Sequence, residues 1–186
     1  MLQKLIALFL LILLTPIYLV LSLIIVISDG FPVLYKQKCY GKNNQVFNLY
    51  KFRTMKKNTP QIPTEKFDEN HSSMYLLKYS KIFRNFSLDE LPQVYNVLLG
   101  DIKFIGPRPC MFNNEEILNK LREEKGINSI KPGITGWAQV NGRDNNSFEE
   151  KVDLDYYYYK KKNFLLDLLI ILKTFSVVFS RKDIKH

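Results

Sequence analysis

Leu5-Ile-Ala-Leu-Phe-Leu-Leu-Ile-Leu-Leu-Thr15-Pro16-Ile-Tyr-Leu-Val-Leu-Ser-Leu-Ile-Ile-Val-Ile-Ser28 contains no charged residue. About twenty apolar residues in a helix suffice to cross a bilayer's hydrocarbon core, so this run is long enough. A cleaved secretory leader fits poorly, because its apolar core is shorter and ends at small residues rather than at Ile27-Ser28-Asp29-Gly30. Pro16 removes a backbone donor and clashes with the preceding turn, which predicts a kink or break at Thr15-Pro16. A kinked helix can cross the membrane or dip in and return. Lys36, Lys38, Lys42, Lys51 and Arg53 follow the run, so that side is expected to stay cytoplasmic. Lys4 and the amino terminus are also positive, which favours both ends on one face. From the residues alone both topologies stay open.

The chain has 186 residues and a formal charge of +9. Setting aside 1–30 as a membrane-inserted segment leaves 31–186, a body of roughly 155 residues that can bury about two-thirds of its unfolded surface. The positive charge points to an anionic partner, be it nucleic acid, acidic lipid or a phosphorylated substrate. Cys39 and Cys110 lie far apart, outside any zinc-binding spacing.

In the body, Gln45 to Met55 reads as a strand, with Lys51 and Arg53 on one face and Tyr50 and Phe52 on the other. Residues 57–72 read as a loop. Ser73 to Phe86 has the period of an amphipathic helix, with Tyr75, Leu76, Tyr79, Ile82 and Phe83 as its apolar stripe. Glu115 to Lys125 reads as a charged, solvated helix. Phe164 to Phe179 is an apolar helix interrupted by Asp167 and Lys173. Tyr156–Tyr159 and Lys160–Lys162 lead into it, the chemistry of an interfacial helix, although a core helix beside a solvated charge run fits as well.

Four stretches carry candidate chemistry. Ser87-Leu-Asp-Glu90 matches a capping box, but that cap would put Pro92 inside the helix, so a broken turn at Asp89-Glu90 competes with it. Adjacent carboxylates repel and are best tolerated beside cations or a metal. Gly106-Pro-Arg-Pro109 holds Arg108 between Pro107 and Pro109 on a stiff stretch, suited to gripping a phosphate or to an exposed rigid turn. Pro132 to Arg143 places Gly133, Gly136 and Gly142 where backbone can approach a ligand, or where tight turns surround a buried Trp137. Asp153-Leu-Asp155 has the D-x-D form of metal sites in nucleotide-sugar glycosyltransferases. It follows a charged stretch rather than an apolar strand, which favours the start of an amphipathic helix.

Taken together, Lys51-Phe-Arg-Thr-Met55, Ser87-Leu-Asp-Glu-Leu91, Gly100-Asp-Ile-Lys-Phe-Ile-Gly-Pro-Arg-Pro109 and Lys131-Pro-Gly-Ile-Thr-Gly-Trp-Ala-Gln-Val-Asn-Gly-Arg143 resemble the small monotopic bacterial phosphoglycosyl transferases. The likeness covers nearly the whole chain, in order. It implies a mixed α/β, mostly helical small domain on the cytoplasmic face of the inner membrane. It further implies a re-entrant N-terminal helix broken at Thr15-Pro16, amphipathic interfacial helices, and no nucleic-acid partner. The implied reaction moves a sugar 1-phosphate from a UDP-sugar to polyprenyl phosphate and releases UMP. By this resemblance Asp89 is the nucleophile and Glu90 a ligand of magnesium (Mg2+). Arg84, Arg108 and Arg143, with Lys51 or Arg53, are expected around the phosphates or the uridine. Covalent catalysis would divide one hard displacement between anions into two easier ones.

The family commonly carries a basic pair and an aspartate before the apolar helix. Here the chain begins too late for the basic pair and Gln3 stands near the aspartate position, so either a short start or a weaker anchor is expected. The rival classes are a membrane-associated glycosyltransferase that releases UDP and a non-enzymatic basic membrane protein. The sugar, the glycan, the prenyl length and any oligomerisation are not encoded in these motifs.

Overall fold

The computed structural model describes residues 1–57, 59, 75–142 and 146–180. The N-terminal run forms α1 (Leu2–Leu13) and α2 (Thr15–Asp29), bent by 59° at Leu14. Pro16 occupies the first turn of α2, where its missing N–H costs least. Thr15 Oγ1 donates to the Leu11 carbonyl at 2.9 Å and covers part of the break. Among the described residues no single helix is long and apolar enough to cross a membrane, whereas this bent pair passes together by length and composition. Leu5, Phe9, Leu13, Leu19, Leu23 and Ile27 are exposed, while Ala7, Leu21 and Ile25 face the body.

Strands β1 (Leu34–Tyr40) and β2 (Val46–Phe52) form an antiparallel hairpin in register from Leu34↔Phe52 to Tyr40↔Val46. The expected strand thus ends before Arg53, whose guanidinium turns back to the end of α2. Next come α3 (Ser80–Asn85), a 3-10 turn at Leu88–Glu90, and α4 (Gln93–Leu99). The helix expected from Ser73 is shorter than its periodicity suggested. Within the described part, Leu76 bridges Met55, and Leu77 N–H donates to the Thr54 carbonyl, so this backbone is committed to the strand's end. Most of the loop expected at 57–72 lies outside the described residues.

Strand β3 (Lys103–Ile105) pairs in parallel with β5 (Gly133–Thr135), and β4 (Cys110–Met111) adds to the free edge of β1. A Cβ at Gly133 or Gly136 would collide with the backbone of Gly106, so glycine lets the two loops touch. Between them come α5 (Glu116–Glu124) and, after β5, the short α6 (Trp137–Val140). Trp137 is half-buried and stacks on Tyr157 at 5.6 Å, rather than fully buried between turns.

α7 (Phe148–Lys161) opens with a complete capping box, Ser147 with Glu150. It is followed by α8 (Phe164–Ser180). Both charges that interrupt the apolar run of α8 point inward. Asp167 accepts from Tyr158 Oη at 2.9 Å, and Lys173 Nζ donates to Asn141 Oδ1 at 2.9 Å, 4.8 Å from the Trp137 ring centre. Leu165, Leu168, Leu172 and Phe175 are left facing outward.

The core is divided among contacts that tie these pieces together. Ala7 of α1 packs with Leu49, Val94, Val97 and Ile102. Leu21 and Ile25 of α2 pack with Phe52, Leu77, Tyr79 and Phe83. The bent pair is therefore part of the fold, and its position fixes the elements carrying the candidate site.

Candidate active site

Asp89 and Glu90 lie on the 3-10 turn, entered through Ser87 in the left-handed region (φ 52°). Ser87 makes no side-chain cap, so the capping box suggested by S-x-x-E is not formed. Its left-handed backbone breaks the chain between α3 and the turn, and Pro92 then begins α4, where a missing N–H is harmless. The two carboxylates thus sit on a broken segment between helices. Tyr18 Oη of α2 donates to the Leu91 carbonyl at 2.7 Å, pinning the turn to the N-terminal helix pair.

Glu90 Oε1 receives Arg108 Nη2 at 2.7 Å, and Lys51 Nζ lies 3.6 Å from the same oxygen. Burial raises the Asp89 carboxyl to about 6, and the neighbouring Glu90 charge adds to the rise. Lys51 and Arg84 pull the other way. Arg84 donates from Nε and Nη2 to Thr54 Oγ1 at 3.2 and 3.1 Å. Burial lowers the Arg84 pKa from its ordinary value, against the pull of Asp89. A half-buried carboxylate in the field of Lys51 and Arg84 has the chemistry of a nucleophile: it is desolvated, yet ionisable near neutral pH.

Pro107 and Pro109 are buried and Arg108 is exposed between them. The Pro107 carbonyl accepts from Gly133 N–H at 2.9 Å, and the Arg108 carbonyl accepts from Arg122 Nη1 at 2.7 Å. Beside Glu90 and Arg108 opens a groove of about 140 Å³, whose walls include Leu91, Val94, Ile134 and Val177. It runs between the Asp-Glu turn and the inner face of α8.

Of the expected phosphate-binding residues, the fold gathers Lys51, Arg84 and Arg108 around Asp89 and Glu90. It does not bring Arg53 there. Arg53 is buried at the end of α2, ion-paired to Asp29, with Nη2 2.6 Å from the Gly30 carbonyl and Nε 2.7 Å from that of Pro32. Arg143 lies outside the described residues. The D-x-D pair is structural. Asp155 is buried in mid-helix with Arg122, and Asp153 pairs with Lys125 at 2.5 Å. The helix expected to be solvated therefore has a buried cation. Leu118 and Arg122, one turn apart on its buried face, were the signal for it. Among the described residues no three Asp, Glu, His or Cys side chains converge as a metal site.

The chain matches the bacterial sugar transferase family over residues 1–181. The chain belongs to that family. It is 37% identical over 161 residues to an uncharacterized sugar transferase, EpsL, of Bacillus subtilis, covering 84% of this chain and 75% of that one. It is 32% identical over 187 residues to the exopolysaccharide production protein ExoY of Sinorhizobium fredii, covering 94% and 82%. To the UDP-glucose:undecaprenyl-phosphate glucose-1-phosphate transferase of Escherichia coli it is 31% identical over 179 residues, covering 92% of this chain and 38% of that protein. The chain thus spans well under half the length of that relative. As a bacterial sugar transferase it is an enzyme, and its Asp89-Glu90 turn sets two adjacent carboxylates beside Lys51, Arg84 and Arg108.

Proposed function

We propose that this enzyme transfers a sugar 1-phosphate from a UDP-sugar to polyprenyl phosphate, through a phosphosugar ester of Asp89. Relatives named for sugar-phosphate transfer to undecaprenyl phosphate support the reaction class. The observation that carries the mechanism is Asp89 beside Glu90 and within the field of Lys51 and Arg84, with Arg108 reaching the pair.

An Asp89 oxygen attacks the β-phosphorus of the UDP-sugar. The bond to the bridging oxygen breaks, and that oxygen leaves with UMP. The carrier's phosphate oxygen then attacks the same phosphorus and expels Asp89, giving a polyprenyl diphosphate sugar. Arg108, Lys51 and Arg84 stabilise the charge that moves during each displacement. Magnesium bound to one or two carboxylates commonly takes its other ligands from phosphates and water, so Glu90 fits a site completed by substrate. When bound there it would neutralise diphosphate charge.

The exposed apolar faces of α1, α2 and α8 suit insertion into one leaflet, with both ends of the bent pair on the cytoplasmic side. The groove beside Arg108 would admit the first isoprene units while their phosphate meets the arginine. Identifying the nucleotide released from a UDP-sugar and polyprenyl phosphate tests the reaction. UMP is expected, and UDP would mark a conventional glycosyltransferase. Quenching in mid-cycle should leave a mass of sugar phosphate on the peptide containing Asp89. A label on any other residue refutes the mechanism.

A further inference from the structure

Arg122 is nearly fully buried on α5, 33 positions before its partner Asp155 on α7. Its Nη2 donates to Asp155 Oδ2 at 2.5 Å, and its Nη1 donates both to Cys110 Sγ at 2.8 Å and to the Arg108 carbonyl at 2.7 Å. The guanidinium therefore stands under the Pro107-Arg108-Pro109 loop. This loop is short of ordinary backbone anchors, because neither proline has an N–H to donate. Its two successive carbonyls at 107 and 108 are held by Gly133 N–H and by Arg122.

A buried ion pair is poor value for stability alone, because the desolvation of both charges consumes most of what their attraction returns. Among the described residues Arg122 Nε and Asp155 Oδ1 have no hydrogen-bond partner, which makes the pair costlier still. An apolar pair of similar volume would join α5 to α7 as well. It would not hold a carbonyl oxygen at a fixed point. We infer that Arg122, oriented by Asp155, is a positioning residue that sets the Arg108 side chain against the Asp89-Glu90 turn. This inference rests on the proposed reading of Arg108 as a group that stabilises transferred phosphoryl charge.

The test is a double-mutant cycle on the full-length enzyme in detergent or nanodiscs, scored by UMP release and by thermal unfolding. The variant R122M/D155L replaces the pair with apolar side chains and is expected to keep the parent's unfolding midpoint. Its kcat is expected to fall on the order of tenfold to a hundredfold, as misplacement of a charge-stabilising group does, with a smaller change in KM. In an Arg108→Ala background the same replacement should cost almost nothing further, since no guanidinium remains to be placed. Arg122→Lys, which keeps the charge for Asp155 but not the fork, should fall between parent and R122M/D155L. If the apolar replacement proves poorly folded, the cycle is run with Arg122→Lys, with the same vanishing loss expected.

Parent-like kcat in the folded apolar variant overturns the inference. So does an equal fold-loss with and without Arg108, which would mean that the pair supports the fold generally. Full activity of Arg108→Ala by itself would instead refute the role of Arg108 on which the inference stands.

Discussion

Arg108 Nη2 meets Glu90 Oε1 at 2.7 Å from a loop 18 residues further along the chain. Lys51 Nζ approaches the same oxygen at 3.6 Å, so Glu90 is ion-paired to two cations, whereas Asp89 lies in the field of Lys51 and Arg84. The asymmetry separates the two acids. Asp89 keeps a pKa raised to about 6 by burial and by Glu90's charge. An incoming diphosphate would compete with Glu90 for Arg108.

The pH dependence follows from this asymmetry. A nucleophilic carboxylate must be ionised, so UMP release should climb as pH rises through about 6 and level off above it. Glu90→Gln removes a negative neighbour, which lowers the Asp89 pKa. Its residual activity should therefore show an acid limb at lower pH, beside a large drop in rate and a weakened dependence on magnesium. A pH–rate profile of both proteins checks the direction; an unmoved limb would separate Glu90 from Asp89's titration.

Replacing Asp89 should cost activity and improve stability. Its folded pKa lies above its unfolded value, so the favourable contribution is complete below about 4 and is lost as pH rises through about 6. At pH 7.5 the ionised side chain is a burden of about 1–2 kcal/mol after allowance for its partial exposure. Asp89→Asn is expected to abolish turnover while raising the thermal midpoint by a few degrees at pH 7.5, with the gap closing toward pH 4. Calorimetry at both pH values reads this out. An active Asp89→Asn enzyme would remove the proposed nucleophile.

Arg53 and Arg108 should behave oppositely, although sequence reasoning grouped them. Arg53 closes the end of α2, with Asp29 and the Gly30 and Pro32 carbonyls as its partners. Arg53→Met leaves Asp29 and those two carbonyls without their buried donor and should clearly lower the unfolding midpoint. Arg108 is exposed and held by an ion pair worth little to stability. Arg108→Ala should keep the parent's unfolding midpoint and lose about 100- to 1000-fold in kcat. Unfolding curves and initial rates on the two variants suffice, and a stability loss for Arg108→Ala equal to that of Arg53→Met would contradict the assignment.

What the chain reveals by itself is mostly local. The bend beside Pro16, the strand near Val46–Phe52 and the helix from Phe164 follow from backbone chemistry and periodicity within a few residues. The stiffness around Arg108 follows from its two prolines. Period-two alternation carried Arg53 along with Lys51, because nothing nearby says that α2 ends beside it. The same limit hid Arg122, whose partner is on another helix, and shortened the helix from Ser73, whose first described residues are held by Thr54 and Met55. Local pattern specifies an element's type, whereas the pairing of charges needs the tertiary fold.

The bend at Leu14 offers the last test, because it links membrane topology to the site. Pro16→Leu restores the missing donor and removes the ring clash, so α1 and α2 should merge into one straight helix able to span. A cysteine at Leu2, labelled in intact cells by a membrane-impermeant maleimide, should be protected in the parent and modified in the straightened variant. Straightening also pulls Tyr18 from the Leu91 carbonyl, one residue beyond Glu90. UMP release should therefore fall in the same variant, and Tyr18→Phe should reproduce part of that fall without changing the labelling. Labelling of the parent from outside the cell would instead mean that the helix pair crosses the bilayer.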